Sequence, residues 1–170
     1  MIEFDKMGNL IPFDIVSTNL LLFETCFVDE MRNKEHRKRI FTNYIEYVTQ
    51  LNSLITNNYY QWINGSFVTK AFKPNDIDFV SFIDFKVVEK HKTELNFFMY
   101  PFSKTIYNVD AYIVKVYPEG HRNYRFYQAD YLYWLHQFLK TKPNKHGIQM
   151  NKGFIKIDMS HEIAMIGTNH

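Results

Sequence analysis

Two carboxylates two residues apart, Asp76 and Asp78, stand at the head of the apolar run Ile77–Ile83. Residues two apart in a strand face the same side, so a strand here would set these side chains next to each other. Adjacent carboxylates repel, and burying either one alone is costly. A shared proton or a cation relieves them. Mg²⁺ suits such a pair because it prefers carboxylate oxygens and keeps waters that substrate phosphates can replace. Nine residues separate Asp76 from Gly65-Ser66, a pair at the end of another apolar stretch. Glycine lets the backbone approach a ligand closely. Amides that open a helical turn have no partner inside it and favour a phosphate. The Ser66 hydroxyl adds one more donor. A loop suited to phosphate beside a pair suited to metal can direct attack on a nucleoside triphosphate, with pyrophosphate leaving.

Several elements must position these groups. Met7–Pro12 reads as an irregular arm and Ser17–Val28 as a helix. The charged run Arg32–Arg39 reads as the solvated first turns of a helix. Ile40, Tyr44, Tyr47, Val48, Leu51 and Ile55 continue it as one apolar stripe at helical spacing. Tyr59–Ile63 is rich in aromatic and β-branched residues and reads as a strand. Phe67–Phe72 has room for a turn or two of helix, and Lys73-Pro74-Asn75 is a turn by composition. Ile77–Ile83 is apolar on both faces, which predicts a strand inside the sheet. Asp84–His91 reads as a short helix or loop edge. Val109–Tyr117 reads as a third strand, closed by the turn Pro118-Glu119-Gly120. Tyr127, Tyr131, Trp134, Leu135 and Phe138 predict a helix ending near Leu139. A polar, basic loop over 140–152 and a short strand, Phe154–Ile157, complete the pattern, with a frayed tail from His161. Asn96–Phe102 gives no clear period. This order predicts one α+β domain over residues 1–170, with helices packed on a small mixed sheet. Its N-terminal helical segment covers about 17–56, and its C-terminal helix and strand about 125–160.

Composition narrows the classes. With 46% apolar and 22% charged residues the chain has ordinary globular character, so bulk disorder is excluded. Its 16 Phe, 12 Tyr and 2 Trp are read mainly as core rings, not as a base-stacking surface. A net charge of +2 gives no field that would draw in nucleic acid, and there is no signal for DNA. The single Cys26 excludes an internal disulfide framework and is read as a small buried hydrophobe. His91, His121, His136 and His161 lack zinc-like spacing. Lys145, His146, Lys152 and Lys156 are read as a solvated basic face. Without a secretory signal or an apolar run of the ~20 residues that span a bilayer, a soluble cytoplasmic protein is expected.

The apolar residue Ile63, the pair Gly65-Ser66 and the later Asp76-Ile77-Asp78-Phe79 together resemble the signature of the polymerase-β-type nucleotidyltransferase superfamily. More narrowly, Gly65–Thr69, Pro74–Asp78, Gly8-Asn9-Leu10 and Tyr117–Gly120 resemble a family of minimal stand-alone bacterial nucleotidyltransferase-like proteins. The superfamily motif covers Ile63–Val80, while the narrower likeness covers most of the chain. The resemblance implies a third carboxylate on a neighbouring strand, for which Asp110 is the candidate. It further implies Mg²⁺ or Mn²⁺ held by Asp76, Asp78 and Asp110, with two ions in the shared site. Gly65, Ser66 and Lys70 would hold the β- and γ-phosphates of an NTP such as ATP. Lys70 stands where small relatives often carry arginine. The nucleoside monophosphate would pass to an acceptor the sequence does not identify: an RNA or tRNA end, a protein hydroxyl or a small molecule. A partner protein encoded nearby, as in toxin–antitoxin or phage-defence pairs, is a further implication. Two other readings stay open: a catalytically inactive binding module of the same fold, and an RNA-binding protein using the aromatics and the basic C-terminal segment.

Overall fold

The structure, a computed structural model, describes residues 2–162, so the tail beyond Glu162 lies outside the described residues. Five strands form the main sheet: β3 (Ile15–Thr18), β4 (Tyr59–Asn64), β5 (Asp78–Asp84), β6 (Asp110–Val116) and β7 (Phe154–Asp158). Their order is β3-β7-β4-β5-β6. β3 runs parallel to β7 and β5 parallel to β6, while β4 is antiparallel to both its neighbours. The expected α+β domain with a mixed sheet is therefore present. A separate two-stranded ribbon, β1 (Glu3–Phe4) with β2 (Leu10–Ile11), replaces the irregular arm.

Side chains alternate across the sheet, and each face has its own core. Ile63, Phe79, Ile83, Ala111, Ile155 and Ile157 join the larger cluster. The long helix α2 (Lys34–Leu54) lies against them, burying Ile40, Phe41, Tyr44, Tyr47, Val48 and Leu51. That is the stripe read from the sequence with Phe41 added, while its last member, Ile55, is only partly buried at the end of the helix. Each such side chain, once buried, stabilises the fold by about 1.5–3 kcal/mol. Polar groups within this core are paired: Tyr44 Oη donates to Gln61 Oε1 at 2.6 Å, and Gln61 Nε2 donates to Ser81 Oγ at 3.0 Å. On the other face Trp62, Val80, Phe82, Val114 and Phe154 meet the helix α6 (Tyr124–Phe138). The Trp62 ring lies 4.7 Å from Tyr131, and Phe154 lies 5.6 Å from Phe138. Most rings thus serve packing, as expected, and Cys26 is partly buried against the larger core.

One sequence expectation, a helix over Ser17–Val28, needs correction. Ser17 and Thr18 belong to strand β3, and the helix α1 begins at Leu20 and runs to Glu24, followed by a π-helical turn, Thr25–Asp29. A row of apolar residues at 20–23 hides the switch of period. The stretch without a period contains a 3₁₀ turn, Asn96–Phe98, and runs into a helix. With α3 (Phe85–Lys90) and α4 (Lys92–Leu95) before it, that helix is α5 (Phe102–Tyr107). The short strand expected over Phe154–Ile157 is β7, which lies inside the sheet between β3 and β4.

Candidate metal centre and its cleft

Strand pairing aligns the polar groups of the site. Asn64 on β4 is opposite Asp78 on β5, and Asp78 is opposite Asp110 on β6. By alternation all three point to the α6 face, at the end of the sheet where β5 and β6 begin. Asp76 joins from the extended segment just before β5. Asp76, Asp78 and Asp110, each partly buried, offer carboxylate oxygens that lie within 4.8 Å of one another. Lys104 on α5 forms ion pairs with Asp76 Oδ2 and, at 3.1 Å, with Asp110 Oδ1.

Gly65 is fixed by Asp78. It has φ +78°, and a Cβ there would come 1.8 Å from Asp78 Oδ2. Only glycine lets the loop turn this close to the carboxylate. Residues 65–70 make a turn in which Thr69 N donates to Ser66 O at 3.2 Å. The head of α2 holds this loop. Arg37, fully buried, donates through Nη1 to Phe27 O (2.9 Å) and Phe67 O (2.7 Å). Its Nη2 donates to Thr69 O (2.8 Å) and Ala71 O (2.6 Å). Asn33 Nδ2 donates to Phe72 O at 3.1 Å, and His36 Nε2 lies 2.6 Å from Pro74 O. The charged run is thus only partly solvated: three of its side chains turn inward and bind the backbone that leads to Asp76.

A cleft of about 710 Å³ opens over the carboxylates. Gly65, Ser66 and Thr69 line one side, and Tyr112, Tyr133, Trp134 and Phe138 form an aromatic wall. Lys140, Lys142 and Lys152 also face it. Lys152, read from the sequence as solvated, is only 4% exposed and donates to Gly65 O at 3.1 Å. Burial pulls its pKa down to about 8, against the opposing pull of Asp78. Lys70 does not line the cleft: its ammonium lies 5.2 Å from the centre of the Phe4 ring.

The donor set fits a hard divalent cation. It is all oxygen, partly dry and rich in negative charge. Two buried oxygens here, Asn64 Oδ1 and Asp110 Oδ1, have no hydrogen-bond partner among the described residues. Asp110 Oδ1 sits close to Lys104 but off the line of a hydrogen bond. Asn64 Oδ1, with no cation beside it, carries the cost of a buried unpaired acceptor, which a metal ion would remove.

Asp78 shows the electrostatic strain of the arrangement. Burial raises its pKa, and the Asp76 and Asp110 carboxylates add to the rise while Lys142 and Lys152 oppose it. A carboxyl whose folded pKa is raised binds its proton more tightly in the native state. Stability is then lost as pH rises from the unfolded carboxylate range through the folded value. Asp78→Asn is therefore expected to be more stable than wild type at pH 7, by about 1 kcal/mol. Melting curves against pH should show this advantage shrinking as the medium is acidified towards the ordinary carboxylate range.

Sequence reasoning located the three aspartates, Gly65 and Ser66, and the structure brings them together. It missed Asn64, Arg37, Lys104 and Lys152 as parts of the site. Asn64 carried a signal, since it precedes Gly65-Ser66 and falls two residues after Trp62.

Together these features define an α+β domain with a three-carboxylate centre beneath an aromatic-walled cleft. The chain belongs to a family of unknown function, DUF6932, whose profile matches residues 2–158. No curated protein and no solved structure matches the chain. No helix among the described residues is long and apolar enough to cross a membrane.

Proposed function

We propose that the chain is a metal-dependent nucleotidyltransferase of the polymerase-β type, which moves a nucleoside monophosphate from an NTP to an acceptor hydroxyl. One observation carries this reading: carboxylates from three separate places, Asp76, Asp78 and Asp110, converge at a cleft whose rim is Gly65-Ser66. A non-catalytic binding module has no need of the third carboxylate, so the convergence favours the enzyme.

Bound Mg²⁺ or Mn²⁺ would neutralise phosphate oxygens and ease deprotonation of the attacking hydroxyl. Asp76 and Asp78 would hold the metal and set the α-phosphate against the strand ends. The turn at Gly65 and Ser66 offers amide and hydroxyl donors to the β- and γ-phosphates. Lys152, bonded to Gly65 O, and Lys142 in the same cleft would meet the same phosphates, the role the resemblance gave to Lys70. A nucleobase finds stacking partners in Tyr133 and Trp134. In the reaction the acceptor oxygen bonds to the α-phosphorus, the bond from that phosphorus to the β-phosphate bridging oxygen breaks, and pyrophosphate leaves with its electron pair. The hydroxyl proton goes to the Asp110 carboxylate. RNA, protein and small-molecule hydroxyls all satisfy this chemistry, and a partner protein encoded nearby would fit the same reading.

The test is thermal stability with each of the four NTPs, with and without Mg²⁺ or Mn²⁺. A ligand that binds only the native state raises the melting midpoint; at a hundred times its Kd the gain is about 2.7 kcal/mol. A shift that requires both metal and nucleotide is expected. A shift with nucleic acid alone, falling steeply with salt, would instead favour the RNA-binding reading.

A further inference from the structure

The three carboxylates are not equally provided for. Asp76 and Asp110 share the Lys104 ammonium, whereas Asp78 has no ion pair among the described residues. Beside Asp78 stands Asn64, 7% exposed, whose Oδ1 is buried, unpartnered and faces the cleft. The centre is thus divided: one half already holds a cation belonging to the chain, and the other half presents oxygens with nothing to bind.

Lys104 is placed by a short, fixed connection. Its neighbour Ser103 is fully buried and donates through Oγ to Val109 O at 3.1 Å, next to Asp110 itself. Asn108, at φ 56° and ψ 39°, closes α5 in the left-handed region, and two residues later β6 begins at Asp110. The lysine side chain is about one-third exposed, so much of its stem is held against the protein.

We propose that Lys104 supplies one of the positive charges this centre needs, so that the site takes a single divalent ion, on the side of Asp76, Asp78 and Asn64. This rests on the metal-dependent reading above, but departs from the two-ion centre that the sequence resemblance implied. Among the groups in direct contact the charges agree: three carboxylates carry −3, which one divalent ion and the ion-paired Lys104 ammonium balance. A second divalent ion between Asp76 and Asp110 would have to displace Lys104 or lie within a few ångströms of it, where like charges repel strongly.

The experiment counts bound Mn²⁺ per chain by electron paramagnetic resonance and equilibrium dialysis. It uses the full chain with a saturating NTP analogue bridged by methylene between the α- and β-phosphates. Wild type is expected to bind one ion and Lys104→Met two, while Lys104→Arg, which keeps the charge, stays at one. Circular dichroism checks folding; if Lys104→Met does not fold, Lys104→Gln, which keeps a polar end, is read in its place. Two ions in wild type would overturn the inference and leave the metal-dependent reading standing. A single ion in the neutral variant would also overturn it, since the lysine would not then be what keeps the second ion out. No bound Mn²⁺ in any of the proteins would remove the metal reading and this inference together.

Discussion

Replacing Asp76 and Asp78 together by alanine is expected to abolish nucleotidyl transfer while leaving the protein folded. These carboxylates flank Ile77, reach the cleft beside Gly65 and, with Asp110, form the charge cluster of the site. Metal-assisted stabilisation of a phosphoryl transition state amounts to several kcal/mol, and each ~1.4 kcal/mol is tenfold in rate, so the loss should be at least about a thousandfold. The fold should survive because the change relieves repulsion at Asp78, and Lys104 keeps its contact with Asp110. Transfer is followed with labelled NTP against candidate acceptors, and folding by circular dichroism and melting. Undiminished transfer by the double variant would remove these residues from the mechanism. A collapse of melting temperature would instead mean that the carboxylates serve the fold.

Arg37→Met should produce the largest loss of stability of any single change near the site. The guanidinium is fully buried and spans four carbonyls from two chain segments, with the Phe67 ring 5.1 Å beneath it. Methionine fills much of the volume and supplies no donor. The carbonyls of Phe27 and Phe67 would be left dry and unpaired, while those of Thr69 and Ala71 have some access to water. Unpaired buried polar groups cost about 1–3 kcal/mol each, so a total near 3–5 kcal/mol is expected. That is a large share of the 5–15 kcal/mol or so that holds a typical domain together. Chemical denaturation measures it directly. Arg37→Lys should recover only part, because an ammonium cannot present the planar fork that serves four acceptors. A loss below about 1 kcal/mol for Arg37→Met would show that water or a rearranged loop replaces those bonds.

The site was legible where its signal was periodic. Asp76 and Asp78 stood out as charges at the start of an apolar strand, and Asp110 opened another. Gly65 was legible as a loop glycine, but the reason for it, the Asp78 oxygen lying where its Cβ would be, depends on the pairing of Asn64 with Asp78. Residues that act through tertiary approach left little trace. Lys104 sits on a six-residue helix too short to show a period. Arg37 and Lys152 were read as solvated because each lies in a basic run, and charge runs usually face water. The fold shows the same division. Strands β4, β5 and β6 and helices α2 and α6 follow their patterns closely. The place of β7 between β3 and β4 does not follow from its pattern, since alternation gives a strand its two faces but not its neighbours.

That placement of β7 bears on how the protein is made. As the chain leaves the ribosome, β4 emerges with its β7 edge bare. The strand that covers it follows about 90 residues later, which takes roughly 5–20 s at ordinary rates of synthesis. Through that interval Gln61, Trp62 and Ile63 present backbone groups to whatever strand is at hand. Lys152 lies just ahead of β7, so the cleft gains its buried cation only as the sheet closes. Nascent chains stalled before residue 154 should therefore be both inactive and prone to associate through β4.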